Sequence, residues 1–196
     1  MSRAFVDEDA GSDETDGMHD IPLPLPPGAR NYMTPEGAMR MADELRNLVD
    51  AERPQAAGAL AAADPAAKSE YLRKVSEIDR RISYLSRMKS ILSVVDPPSS
   101  AERVVFGLVV RVREEGGAEG TEGIDGAPRD IEYRIVGVDE SDPEKGYVSW
   151  ASPVAKALIG KKVGDVVMAH LPMEEHRLHI LEIKYAELKR NPSNNR

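Results

Sequence analysis

Few residues in this 196-residue chain have the type and spacing to do chemistry. His170, His176 and His179 come nearest to a metal-binding set. On a strand, however, positions three apart such as His176 and His179 face opposite sides, and no cysteine or carboxylate pattern completes a zinc site. Glu174 and Glu175 read as turn residues. Gly116, Gly117 and Gly120 lack the strand-to-helix setting and the Lys-Ser/Thr of a phosphate loop, so they read as a hairpin tip. The absence of cysteine excludes disulfides, iron–sulfur clusters and thiolate zinc. No metal site and no cofactor of its own are expected.

The charge points elsewhere. Net charge is −8, the pI is about 5.1 and mean hydropathy is −0.43, which is unlike a domain that binds DNA by itself. Residues 1–30 are acidic, with Asp7, Glu8, Asp9, Asp13, Glu14, Asp16 and Asp20 against Arg3 and Arg30. Residues 68–89 reverse the sign. There Arg73, Lys74, Arg80, Arg81 and Arg87 form a basic stripe. It is either a docking surface for a larger partner that handles nucleic acid or a solvated helix face. No apolar run approaches the roughly 18 residues of a membrane span. The acidic N-terminus is unlike a signal peptide, so a cytoplasmic protein is expected.

These residues need elements to position them. Ile21 to Gly28 is proline-rich and extended, ending a flexible acidic arm over 1–30. Thr34-Pro35 gives an N-cap and first-turn proline. Behind it Ala38, Ala42, Leu45, Val49, Ala56, Ala59 and Ala63 recur at spacings of four and three, predicting a helix over 35–63 that is kinked or loosened at Pro54. Asp64-Pro65 repeats the start signal, with Asp64 as N-cap. Tyr71, Val75, Ile78, Ile82, Leu85 and Leu92 then predict a helix over 65–93. Two amphipathic helices of equal length, each roughly 43 Å, should pack antiparallel as a coiled-coil hairpin over 31–96.

Asp96-Pro97-Pro98 stops the second helix, and 97–102 is a linker. Periodicity then changes to two. Val104–Val112, Ile131–Val138, Tyr147–Trp150, Val166–Leu171 and His176–Tyr185 read as strands, with a Gly-rich acidic loop over 114–130. Ser152-Pro153 caps a short helix, Val154–Ile159, ended by Gly160. The fold class is α+β, with a mostly antiparallel sheet domain over 103–186 and a tail over 187–196.

Several stretches carry a likeness to a known family. They are Tyr32-Met33-Thr34-Pro35-Glu36-Gly37, Glu77-Ile78-Asp79-Arg80-Arg81-Ile82-Ser83-Tyr84-Leu85, Glu132-Tyr133-Arg134-Ile135-Val136-Gly137, and Ser152-Pro153-Val154-Ala155-Lys156-Ala157-Leu158-Ile159-Gly160-Lys161-Lys162-Val163-Gly164-Asp165. Over about residues 31–185 the chain resembles the bacterial Gre family of transcription elongation factors, closest to the GreB branch. The resemblance implies an FKBP-like C-terminal domain that grips the rim of the RNA polymerase secondary channel, through a surface including Ser152, Pro153, Ala155 and Lys156. It implies a coiled coil that enters the channel as a monomeric factor, its basic stripe near nascent RNA and DNA. The polymerase would be the enzyme and this chain its regulator.

In such factors an acidic pair in a Gly-Asp-x-x-Glu-Asn-Ala-type tip helps the polymerase hold its second Mg²⁺ and cleave backtracked RNA, chemistry that suits carboxylate oxygens. This sequence departs from that pattern. Its tip reads Ala61-Ala62-Ala63-Asp64-Pro65-Ala66-Ala67-Lys68-Ser69-Glu70, about one heptad shorter. Asp64 and Glu70 are the tip candidates, but they lie close to 9 Å apart along a helix, too far to share one ion. The expected behaviour is channel occupancy with weak or no cleavage. The alternatives are cleavage through Asp64 or Glu70, a prolyl isomerase built on the C-terminal domain, or a scaffold for some other partner.

Overall fold

The computed structural model describes residues 22–115, 128–171 and 175–185. The acidic arm through Ile21, most of the Gly-rich loop, Glu174 and the 187–196 tail lie outside them. Over the described residues the protein is a mixed α+β molecule.

The helical part starts where the sequence indicates. β1 (Asn31–Met33) leads to Thr34, whose hydroxyl accepts from the Gly37 N–H at 3.1 Å, and Pro35 opens α1 (Pro35–Asn47). The helix then widens into a single π-turn, Leu48–Glu52, in which the Arg53 N–H reaches back five residues to the Leu48 carbonyl. α2 (Arg53–Ala62) follows, with Pro54 in its first turn. Proline has no N–H for the usual i→i−4 bond, so the wide turn falls beside it, where loosening was expected. The turn also brings both Leu48 and Ala56 to the buried side, at 7% and 3% exposure.

The second helix differs from expectation at both ends. Asp64 does not cap the second helix. Pro65, Ala66 and Ala67 first close a turn on its backbone carbonyl, which accepts from Ala67 and Lys68 at 3.0 and 3.1 Å, and α3 (Lys68–Ser90) starts only then. Nor does that helix run to residue 93. Ile91 leaves helical geometry, and β2 (Leu92–Val94) pairs in parallel with β1. Short extended segments at the two ends of the helical region satisfy each other's backbone groups, which propagation of the helix would not do.

Arg81 pairs with Glu44 and Arg53 with Asp79, each at 2.7 Å, so α3 packs along α1 and α2. Their shared core is Met33, Met41, Leu48, Ala56, Ile78, Leu85 and Met88. Leu23 and Leu25 of the proline-rich segment, expected to belong to a flexible arm, pack instead against this core, where their apolar side chains leave water.

The second part is a five-stranded sheet of order β5-β4-β3-β7-β6. Its strands are β3 (Val109–Glu115), β4 (Arg129–Val136), β5 (Tyr147–Ser149), β6 (Val166–His170) and β7 (Glu175–Lys184). All neighbours are antiparallel except β4 and β5, which are parallel. α4 (Pro153–Leu158) covers one face, burying Ala155 and Leu158 on Val110, Val112, Ile135, Val167, Leu178 and Ile180. The first strand begins at Val109 rather than Val104. Gly107 turns the chain at φ +87°, and Val104 is tied to the end of α4 through Lys161 and Gly160. β3 and β4 in turn run further into the presumed loop, where Arg113 meets Asp130 at 2.8 Å.

Candidate functional site

The tip, the basic stripe, the α4 start and the junction between the two parts are the places where a partner could be met. At the tip, Asp64 is exposed in the turn and Glu70 is exposed in the first turn of α3. Glu70 stands by Tyr71, Arg73, Lys74 and Glu77. Among the described residues, no three His, Asp or Glu side chains gather as a metal site. Around Asp64 the surface is alanine and proline: Ala61, Ala62, Pro65 and Ala66 are all exposed.

The structure divides the basic stripe. Arg81 is committed to the helix pair: its Nε and Nη2 donate to Glu44 at 2.7 and 3.0 Å, and the guanidinium lies 5.4 Å from the Tyr84 ring centre. That hydrogen bond to Glu44 raises its pKa further above an already high value. Arg73 and Arg80 remain on the exposed side, the first 3.7 Å from Glu77 and the second donating to the Ser76 carbonyl. Exposed pairs of this kind contribute little to stability, so these arginines stay available to an anionic partner. Lys74 lines a shallow hollow with Ala56, Ala59 and Tyr71. Arg87 lines a cleft of about 860 Å³ with Leu23, Leu25, Arg30, Ile91 and Leu92.

At α4, Ser152 caps as expected, its Oγ accepting from the Ala155 N–H at 3.1 Å, with Pro153 behind it. Ala155 is fully buried against the sheet. Of the four residues named for this surface, Ser152, Pro153 and Lys156 reach the exterior, and Ala155 serves as the floor that holds them.

The histidines are not brought together. His170 meets Glu175 at 2.8 Å and His179 meets Glu115 at 3.0 Å, both on the outer side. His176 is buried and bonds Glu114, which also takes Arg129 at 2.8 Å. Each ring has its own carboxylate.

The junction was missed by the sequence reading. Glu140, in the tight 3₁₀ turn Val138–Glu140, is buried and accepts from the Thr34 N–H at 2.9 Å, the Gly137 N–H at 3.0 Å and the Thr34 hydroxyl. Beside it Tyr84 donates to Asp139 at 2.6 Å, Arg134 lies 3.4 Å from Glu36, and Tyr32 meets Trp150 edge-on with ring centres 5.6 Å apart. Burial, and then the bond to Asp139, push the Tyr84 hydroxyl well above its usual 10.0. The only local signal was the three-residue spacing from Gly137 to Glu140.

Residues 99–185 match the family described as transcription elongation factor GreA/GreB, C-terminal. A protein named transcription elongation factor GreB from Xanthomonas axonopodis pv. citri is 38% identical over 173 residues, covering 83% of this chain and 97% of that one. A GreB from Yersinia pestis is also 38% identical, over 79% of this chain and 89% of its own. The crystal structure of the GreA factor homologue Gfh1 from Thermus thermophilus aligns over 79% of this chain and 99% of its own, at 20% identity and a TM-score of 0.34, too loose a likeness to bear on the fold. No described helix is long and apolar enough to cross a membrane.

Proposed function

The chain belongs to the GreA/GreB family of transcription elongation factors, and on that premise we propose that it acts on RNA polymerase by placing its paired helices in the secondary channel while contributing little to RNA cleavage. The observation that carries the reading is 38% identity across 97% of a GreB. The antiparallel helices over 31–96 serve as a coiled-coil finger. The residues from 103 to 186 serve as an FKBP-like palm, with Ser152, Pro153 and Lys156 against the channel rim. A capped helix start suits this role, because the cap fixes the backbone that presents the contact.

The mechanism follows from the tip. Hydrolysis by two metal ions needs oxygen ligands placed together around the ion. Asp64 stands in the turn among alanines and proline, whereas Glu70 stands in the first turn of α3 beside Tyr71, Arg73 and Lys74, and the described residues gather no metal-holding group there. The finger therefore occupies space near the polymerase's own Mg²⁺ without helping to hold it. Arg73 and Arg80, on the exposed side of α3, face nascent RNA or the channel wall. The chain acts as a regulator, in competition with other factors that use the same channel.

The test is binding to core RNA polymerase, with displacement by an active Gre factor. The full chain is expected to bind and to be displaced, and Lys156→Glu is expected to bind more weakly. Failure to bind, or binding indifferent to the competitor, would overturn the reading.

A further inference from the structure

One buried carboxylate stands at the junction of the two parts of this molecule. Glu140 Oε2 takes the Thr34 N–H at 2.9 Å and the Gly137 N–H at 3.0 Å, while Oε1 takes the Thr34 hydroxyl. The first two donors belong to the starts of α1 and of the Val138–Glu140 turn, where backbone N–H groups have no partner within the helix. Glu140 satisfies both starts together. Its opposite charge lies on the solvent side: Arg40 pairs with it at 3.7 Å with its own side chain 64% exposed. Fixed backbone donors therefore hold the carboxylate, and hydrogen bonds to them are directional, which apolar contact is not.

The surroundings are tightly filled. A Cβ on Gly37 would lie 2.1 Å from Glu140 Oε1, and one on Gly137 would lie 2.6 Å from the Tyr32 carbonyl oxygen. Small residues stand where the helical part and the sheet approach most closely.

We propose that Glu140 is a positioning residue, the latch that sets the angle at which the helical arms leave the sheet and so the point their tip reaches. The functional half of this inference rests on the channel-binding reading above. Leverage makes the angle matter. The arms extend roughly 40 Å at 1.5 Å per residue, so a tilt of about 10° moves the tip by about 7 Å. Active-site geometry is sensitive to displacements far smaller than that.

The chain has no cysteine, so spin labels can be placed at will. Ala66→Cys at the tip and Lys162→Cys on the sheet part are both exposed. Pulsed electron–electron resonance on the free, full-length, doubly labelled chain should give one narrow distance distribution. Glu140→Ala should broaden it severalfold. Gly37→Ala should do the same by displacing the carboxylate, although alanine is the better helix former and helix content by circular dichroism should not fall. If Glu140→Ala fails to fold, Gly37→Ala decides alone. A distribution as narrow as that of the parent in the folded variants would overturn the latch.

Binding to core polymerase then separates the two claims. Variants that compete severalfold less well with an active Gre factor support the positioning role, and unchanged competition overturns it. A parent chain that does not bind polymerase overturns the channel reading alone, because the distances are read without polymerase.

Discussion

Thr34 works on two levels at once. Its hydroxyl accepts from the Gly37 N–H as a helix cap and donates to the buried Glu140. Thr34→Ala should therefore cost more than an ordinary cap: about 1 kcal/mol for the cap itself, plus about 1–3 kcal/mol for a buried acceptor left short of a donor. Urea denaturation should show this, and Thr34→Ser should recover most of it. A loss no larger than that of Ser152→Ala, which removes an ordinary cap at the start of α4, would deny the coupling. Tyr84 supplies a pH test at the same junction. Because its hydroxyl is held above 10.0, the folded state retains that proton more tightly than the unfolded chain. Its contribution is therefore fully present below pH 10 and lost as pH rises beyond it. Ultraviolet titration should show a late-titrating tyrosine that Tyr84→Phe removes, with a shallower alkaline decline in stability. At this scale, local chemistry was legible and distant chemistry was not. The Thr34-Pro35 and Ser152-Pro153 caps bond within three residues, whereas Glu140 meets Thr34 across 106 positions, and no periodicity encodes such a meeting.

At the scale of elements, the heptad-like spacing of Leu45, Ala56, Tyr71, Ile78 and Leu85 gave the two helices because a buried stripe must repeat with the helical period. The π-turn was legible only as trouble near Pro54, and its effect on register appears in the buried pair Leu48 and Ala56. Asp64-Pro65 looked like a cap since the residue types fit, but the chain used the pair to turn first. β1 and β2 were unreadable. Each is three residues long, and their pairing spans the whole helical region. The close approach of the arms at Ala56, 3% exposed, carries its own prediction. Ala56→Leu should overpack the seam and lower stability by about 1–3 kcal/mol, whereas Ala61→Leu on the exposed tip should change it little. Chemical denaturation of the two variants measures the contrast, and equal effects would mean the arms do not meet at Ala56.

For the whole molecule, two parts with their own cores meet at a junction of buried hydrogen bonds and an aromatic contact, and the sheet part presents Ser152, Pro153 and Lys156 on a buried base of Ala155. The family resemblance was legible because its motifs fall on caps, turns and core positions whose residue types are constrained. The tip departs from that pattern where exposed residues answer only to function. The central claim is that the finger enters the polymerase channel but lacks the ligands for cleavage. It is tested most directly by transcript cleavage on backtracked elongation complexes, with this chain alone and with an active Gre factor added. The expected result is no stimulation by the chain alone and slower cleavage by the active factor as the chain is titrated in. Robust cleavage by the chain, abolished by Asp64→Ala or Glu70→Ala, would contradict it.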